Sequence, residues 1–127
     1  MIPTTSGATK TVVDVLPHLK GRLDGLAIRV PIPVVSLVDF VCLTKKEVNV
    51  SLINQTFEQA SKGVLSNIIA VTNEPLVSSD FKGDTHSAIV DLSLTQVQNN
   101  NLVKIIAWYD NEWGYSQRYI ELAEYLG

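Results

Sequence analysis

NLVKIIAWYDNEWGYSQRYIELAEYL, residues 101 to 126, passes from a strand pattern straight into a helix pattern. Its first ten residues are rich in β-branched and aromatic side chains, and Asn99-Asn100-Asn101 supplies a hairpin turn ahead of them. From Tyr115 onward the spacing is helical, with Tyr119, Ile120, Ala123 and Leu126 expected to face inward. Between the two lies AWYDNEWGYSQR, residues 107 to 118, which crowds two Trp, two Tyr, two acids and Asn111 into a strand end and a helix start. Aromatic side chains with polar tips suit places where one end is buried and the other meets a ligand or partner. The stretch therefore reads as a working junction.

Outward from that junction the chain continues as strands with few helices between them. HSAIVDLSLTQV (86–97) and NIIAV (67–71) have strand composition. Leu52, Ile53, Thr56, Phe57 and Ala60 fall on one helical stripe, after the possible caps Asn49 and Ser51 and before Gly63. VVSLVDFVCL (34–43) is apolar enough to predict a strand buried on much of both faces. In LAIRV (26–30) the alternation puts Leu26, Ile28 and Val30 on one face and Ala27 and Arg29 on the other. At the start, Thr4-Thr5-Ser6-Gly7 offers capping oxygens to ATKTVVDVL, a short helix with Val12, Val13 and Leu16 on its apolar face, ended by Pro17. Long strands follow one another without a crossover helix for each. That predicts an α+β fold whose mixed, mostly antiparallel sheet carries helices on one face. No G-x-G-x-x-G follows a strand, so a dinucleotide-binding fold is not expected within these residues.

Composition narrows the function classes. The 127 residues are 46% hydrophobic and 18% charged, as in a globular domain, and with no repeat or linker-like tract one domain is the simplest partition. Ten basic against 13 acidic residues give a net charge of −3, and the longest basic run is Lys45-Lys46, which argues against nucleic acid and anionic membranes as partners. MIPTTSGATK has neither the basic nor the apolar region of an export signal, and no apolar run approaches the ~20 residues of a membrane span. A single cysteine, Cys42, excludes an internal disulfide and fits a reducing compartment, so a cytoplasmic location is expected.

Several residues have chemistry to offer, each with an ordinary alternative. The TTSGAT segment combines hydroxyls with the exposed N–H groups of a helix start, a favourable place for phosphate, although many ordinary caps have the same composition. Arg29 needs an acid, a phosphate or solvent beside its guanidinium; Asp39 or Asp91 would serve structurally, and a phosphate held jointly with the TTSG loop would serve functionally. Cys42, flanked by Val41 and Leu43, belongs to the core rather than to nucleophilic chemistry. His18 and His86 have no thiol or metal-ligand spacing near them, so neither a catalytic residue nor a metal site is expected.

Taken together, IPTTSGATK (2–10), LAIRVP (26–31), VSLVDFVCLTKK (35–46), PLVSSDFKGDTHSAIVD (75–91) and WYDNEWGYSQR (108–118) resemble, in order, the C-terminal part of glyceraldehyde-3-phosphate dehydrogenase. The resemblance covers essentially the whole chain and implies that residues 1–127 are part of that family's catalytic domain. It implies a tetrameric glycolytic enzyme that oxidises glyceraldehyde 3-phosphate with NAD and inorganic phosphate. In that family a cysteine thiolate attacks the aldehyde, a histidine acts as base, hydride passes to the nicotinamide and phosphate releases the product. By the same resemblance Ser6 and Gly7 match residues that bind the attacking phosphate, with Ser6 where Thr is usual. Arg29 matches the Arg that holds the substrate phosphate, Asn111 the Asn that hydrogen-bonds the nicotinamide carboxamide, and Tyr115 a Tyr packed nearby.

The departures from the family are as large as the matches. The dinucleotide-binding domain, the S-C-T-T-N segment with the nucleophilic cysteine and the catalytic histidine have no counterpart in these residues; Cys42 matches a non-catalytic strand cysteine. Three roles stay open at this point: one part of a working dehydrogenase completed by the family's N-terminal part or by other subunits, a catalytically silent remnant, or a stand-alone binding or interaction module. On every one of them the chain by itself is expected to be inactive.

Overall fold

The structure, a computed structural model, describes residues Met1–Gly127. Contacts within the chain fall into two compact units, Met1–Pro33 and Val34–Gly127. In the first, β1 (Ile2–Thr4) pairs antiparallel with β2 (Ala27–Arg29), so that Ile2 stands opposite Arg29 and Thr4 opposite Ala27. Helix α1 (Ala8–Val15) follows β1, and a 3-10 turn at Pro17–Leu19 closes it. Proline has no N–H to extend the ladder, which is why the helix stops there.

The second unit holds β3 (Ser36–Leu43), α2 (Val50–Lys62), β4 (Ile69–Thr72), β5 (Ala88–Asp91), β6 (Gln96–Gln98), β7 (Leu102–Tyr109) and α3 (Trp113–Leu126). Its strands form one sheet in the order β3-β7-β5-β4, with β6 also paired to β7. Only β4 and β5 are parallel; the other pairings are antiparallel. The fold is thus α+β with a mixed, mostly antiparallel sheet, as the strand order predicts. Strand β7 is its spine, carrying β3 along its full length on one side and β5 and β6 on the other, with Val103 and Ile106 buried.

Local chemistry explains several boundaries. Asn49 caps α2 by accepting a hydrogen bond from the Leu52 N–H at 2.8 Å. The β6–β7 hairpin turns on Asn99 and Asn100, which take φ of 49° and 59°, and the Asn101 N–H closes it onto the Gln98 carbonyl. Asparagine tolerates that left-handed backbone better than most residues. The core gathers Val35, Phe81 and Ile89, with Trp108 stacked on Phe81 at a centroid distance of 5.3 Å.

Three expectations need correction. Strand β3 is not buried on both faces, because it is an edge strand paired only with β7; Leu37, Val38, Phe40, Val41 and Leu43 are all exposed. Residues 86–97 are not one strand, because the buried Asp91 carboxylate accepts from the Ser93 N–H and hydroxyl and turns the chain through a 3-10 segment, Leu92–Leu94, between β5 and β6. Helix α3 does not turn Tyr119, Ile120, Ala123 and Leu126 inward; all four are exposed. Its inward face is Gly114, Gln117, Arg118 and Glu121. Arg118 binds the Ser87 hydroxyl at 3.1 Å and grips Glu121 through two nitrogens, which rolls the polar side of the helix onto the body.

Candidate functional site

Strand β7 ends at Tyr109 and α3 begins at Trp113, so three residues make the corner. Asp110 governs it. It is 1% exposed; its Oδ2 accepts from the Gly83 N–H at 2.9 Å and its Oδ1 from the N–H groups of Glu112 and Trp113 at 2.9 and 3.0 Å. The Gly114 N–H also closes onto the Asp110 carbonyl. Burial alone would raise the pKa of this carboxyl, but the backbone donors of Gly83, Trp113 and Glu112, with the charge of Lys82, outweigh it and hold the pKa below the ordinary value. Sequence reasoning does not single out Asp110, although an Asp just ahead of a helix start is the usual capping signal.

The same corner presents Asn111 and Tyr115 together. Both line an open cleft of about 320 Å³ with Ser87, Tyr109, Gly114 and Arg118. Gly114 lets α3 lie close to the floor, since a Cβ there would stand 2.8 Å from the His86 carbonyl oxygen. Asn111 and Tyr115 are exposed, and the Tyr115 ring stacks against Tyr119 with centroids 6.3 Å apart. An amide side chain offers both a donor and an acceptor, the pair of groups that a carboxamide also carries.

The phosphate candidates lie in the first unit. The Ser6 hydroxyl accepts from the Ala8 N–H at 3.2 Å, and Gly7 opens α1 with its carbonyl accepting from Thr11. The ladder does not bring Arg29 to them. It stands opposite Ile2, whereas Ser6 and Gly7 lie beyond Thr4, which pairs at the other end with Ala27. Arg29 is exposed. The acids that would have served it structurally are engaged elsewhere, Asp39 with Lys104 at 2.8 Å and Asp91 with Ser93 and the Trp108 indole.

The remaining reactive groups have structural surroundings. Cys42 is half-buried in β3, opposite Val103. His86 is held by Asp84, whose Oδ1 accepts from its backbone N–H at 2.8 Å and meets its Nδ1 at 2.7 Å. His18 is exposed in the 3-10 turn. No group of three or more His, Cys, Asp or Glu side chains could hold a metal ion, and no helix is long and apolar enough to cross a membrane.

Comparison with known proteins places the chain in a family. The family model described as the glyceraldehyde 3-phosphate dehydrogenase C-terminal domain matches residues 1–111. Glyceraldehyde-3-phosphate dehydrogenase 2 of Trichormus variabilis is 52% identical over 124 residues, 98% of this chain and 37% of that protein. Glyceraldehyde-3-phosphate dehydrogenase 2 of Staphylococcus aureus strain MRSA252 is 52% identical over 127 residues, all of this chain and 36% of that protein. The chloroplastic glyceraldehyde-3-phosphate dehydrogenase A of Chlamydomonas reinhardtii is 49% identical over 98% of this chain and 33% of its own length. The chain thus spans little more than a third of the length of the relatives it matches. With a family model covering 111 residues and relatives at about half identity along nearly the whole chain, the chain belongs to the glyceraldehyde 3-phosphate dehydrogenase family, within its C-terminal domain.

Proposed function

We propose that residues 1–127 are part of the catalytic domain of an NAD-dependent, phosphorylating glyceraldehyde-3-phosphate dehydrogenase of glycolysis. In this reading they supply the ring contact and the phosphate contacts, while the thiol and the imidazole come from another part of the assembly. The observation that carries the reading is the corner between β7 and α3, where Asn111 and Tyr115 line one cleft in a chain of this family. NAD, when bound, supplies a nicotinamide ring that accepts hydride. The Asn111 carboxamide would fix the orientation of that ring, Tyr115 would pack beside it, and both would act by positioning. Ser6 and Gly7 would receive inorganic phosphate at the start of α1, where backbone N–H groups and the helix dipole favour an anion. Arg29 would hold the phosphate of the aldehyde substrate as a separate charge clamp, consistent with its place at the far end of the β1–β2 ladder.

Such a division of labour makes the chain alone inactive, because Cys42, the single cysteine of the sequence, is a half-buried strand residue that by resemblance matches a non-catalytic cysteine. Incubating the purified 127-residue chain with glyceraldehyde 3-phosphate, NAD and phosphate is expected to yield no NADH above the protein-free control. Phosphate-dependent NADH formation by the chain alone would refute the proposal. Mixing it with the N-terminal part of a family member is expected to restore some activity in the cytoplasmic-type reducing conditions that keep thiols free.

A further inference from the structure

We propose that Asp110 is a positioning residue for the ring contact: its buried carboxylate ties the backbone just after Asn111 to the loop at Gly83 and thereby aims the Asn111 carboxamide into the cleft. The inference rests on the reading of Asn111 as the nicotinamide contact. One carboxylate oxygen holds the Gly83 N–H, in the loop ahead of β5; the other holds the Glu112 and Trp113 N–H groups, at the start of α3. Asn111 is the residue between the clamp and the helix start. It is itself exposed, so its aim depends on the backbone that carries it. Three convergent N–H donors require an acceptor-only group, and at position 110 an ionised carboxylate is such a group. Gly83 takes a φ of 81°, a backbone other residues rarely adopt, and its N–H meets the clamp from that conformation. An amide at position 110 would turn its NH2 either toward the Gly83 N–H or toward the Glu112 and Trp113 N–H groups, and so release one side of the clamp.

The test is a titration of the 127-residue chain with nicotinamide mononucleotide, read from the side-chain amide signal of Asn111 and from neighbouring backbone signals by NMR. Four variants complete it: Asn111→Ala, Asp110→Asn, Asp110→Ser and the double variant Asp110→Asn with Asn111→Ala. A retained, dispersed spectrum away from the corner verifies that each is folded. Losing the carboxamide contact is expected to weaken binding about tenfold in Asn111→Ala. Asp110→Asn is expected to weaken it by a similar factor, and the double variant to bind no more weakly than Asn111→Ala, because Asp110 acts through Asn111. Asp110→Ser keeps an acceptor for the helix-start N–H groups but not for Gly83, and its affinity is expected to fall between wild type and Asp110→Asn. If Asn111→Ala binds more weakly while Asp110→Asn binds like wild type, or if the double variant loses the product of the two factors, the positioning role is overturned and the ring contact stands. If Asn111→Ala binds like wild type, or if the wild-type chain shows no shift with nicotinamide mononucleotide, the ring contact and the positioning role fall together.

Discussion

Replacing Gly114 by alanine separates two opposed effects that a helical glycine carries. In an exposed helix interior the change stabilises by about 0.5–1 kcal/mol, because alanine loses less backbone entropy on folding. Position 114 is buried, and a Cβ built there lies 2.8 Å from the His86 carbonyl oxygen, against 3.4 Å at the near limit of ordinary contact, so α3 and the loop before β5 must part by about 0.6 Å. The obstacle is backbone, which has no rotamer to change. Overpacking of this kind costs about 1–3 kcal/mol, so the net expectation is a loss of roughly 1 kcal/mol. In urea, with an m-value on the order of 1–2 kcal/mol per M, the midpoint should fall by about 0.5–1 M at unchanged slope. The same displacement would widen the cleft next to Asn111 and Tyr115, so their amide signals should shift in Gly114→Ala, with little change in β4. A midpoint that rises, as for an ordinary exposed helix glycine, would refute the close approach and with it the geometry of the corner.

Acid should act on the corner through Asp110. Its folded-state pKa lies below the ordinary 3.8, so the stability it contributes is complete above that value and is lost as the pH falls through the lower folded value; wild type should show an acid limb below about pH 4 that Asp110→Asn lacks in part, seen in urea midpoints across pH. At neutral pH Asp110→Asn should cost about 1–3 kcal/mol, the range for a buried donor left unmet. Asn49→Ala should cost about 1 kcal/mol through loss of the α2 cap, measured in the same way, whereas Gln55→Ala on the exposed face of that helix should change stability by less than about 0.5 kcal/mol. Phosphate or sulfate at tenfold its dissociation constant should raise stability by about 1.4 kcal/mol for each site filled; because Arg29 stands apart from Ser6 and Gly7 on the ladder, Arg29→Ala should remove only the share of its own clamp, and equal stabilisation of both proteins in thermal melts would show that Arg29 holds no anion.

Much of the fold is legible in the sequence because it rests on local chemistry. Asn49 ahead of an apolar stripe marks the start of α2, Asn99 and Asn100 mark the β6–β7 hairpin, and the strand-to-helix change near Asp110 marks the corner. What escapes the sequence depends on tertiary choices. The apolar run of β3 reads as interior, but apolar composition does not bring a covering layer to an edge strand. The aromatic face of α3 looks inward by period, yet the Arg118–Ser87 bond and the room left by Gly114 seat the polar face instead. The turn at Leu92 follows from one buried carboxylate, Asp91, whose strand neighbours give no warning of it. At the site, resemblance singles out Asn111 and Tyr115, and the structure puts them on one cleft; Asp110 emerges only once its three N–H partners are in view.

The central claim is that this chain can serve as the corresponding part of a family enzyme without providing the nucleophile. The most direct measurement exchanges these 127 residues for the matching stretch of a full-length relative and follows NADH formation from glyceraldehyde 3-phosphate, NAD and phosphate. The chimera should be active, Asn111→Ala should lower its turnover and weaken NAD binding, and Cys42→Ser should leave turnover nearly unchanged. A folded chimera in which Cys42→Ser abolishes turnover, or in which Asn111→Ala changes neither turnover nor NAD binding, would contradict the account.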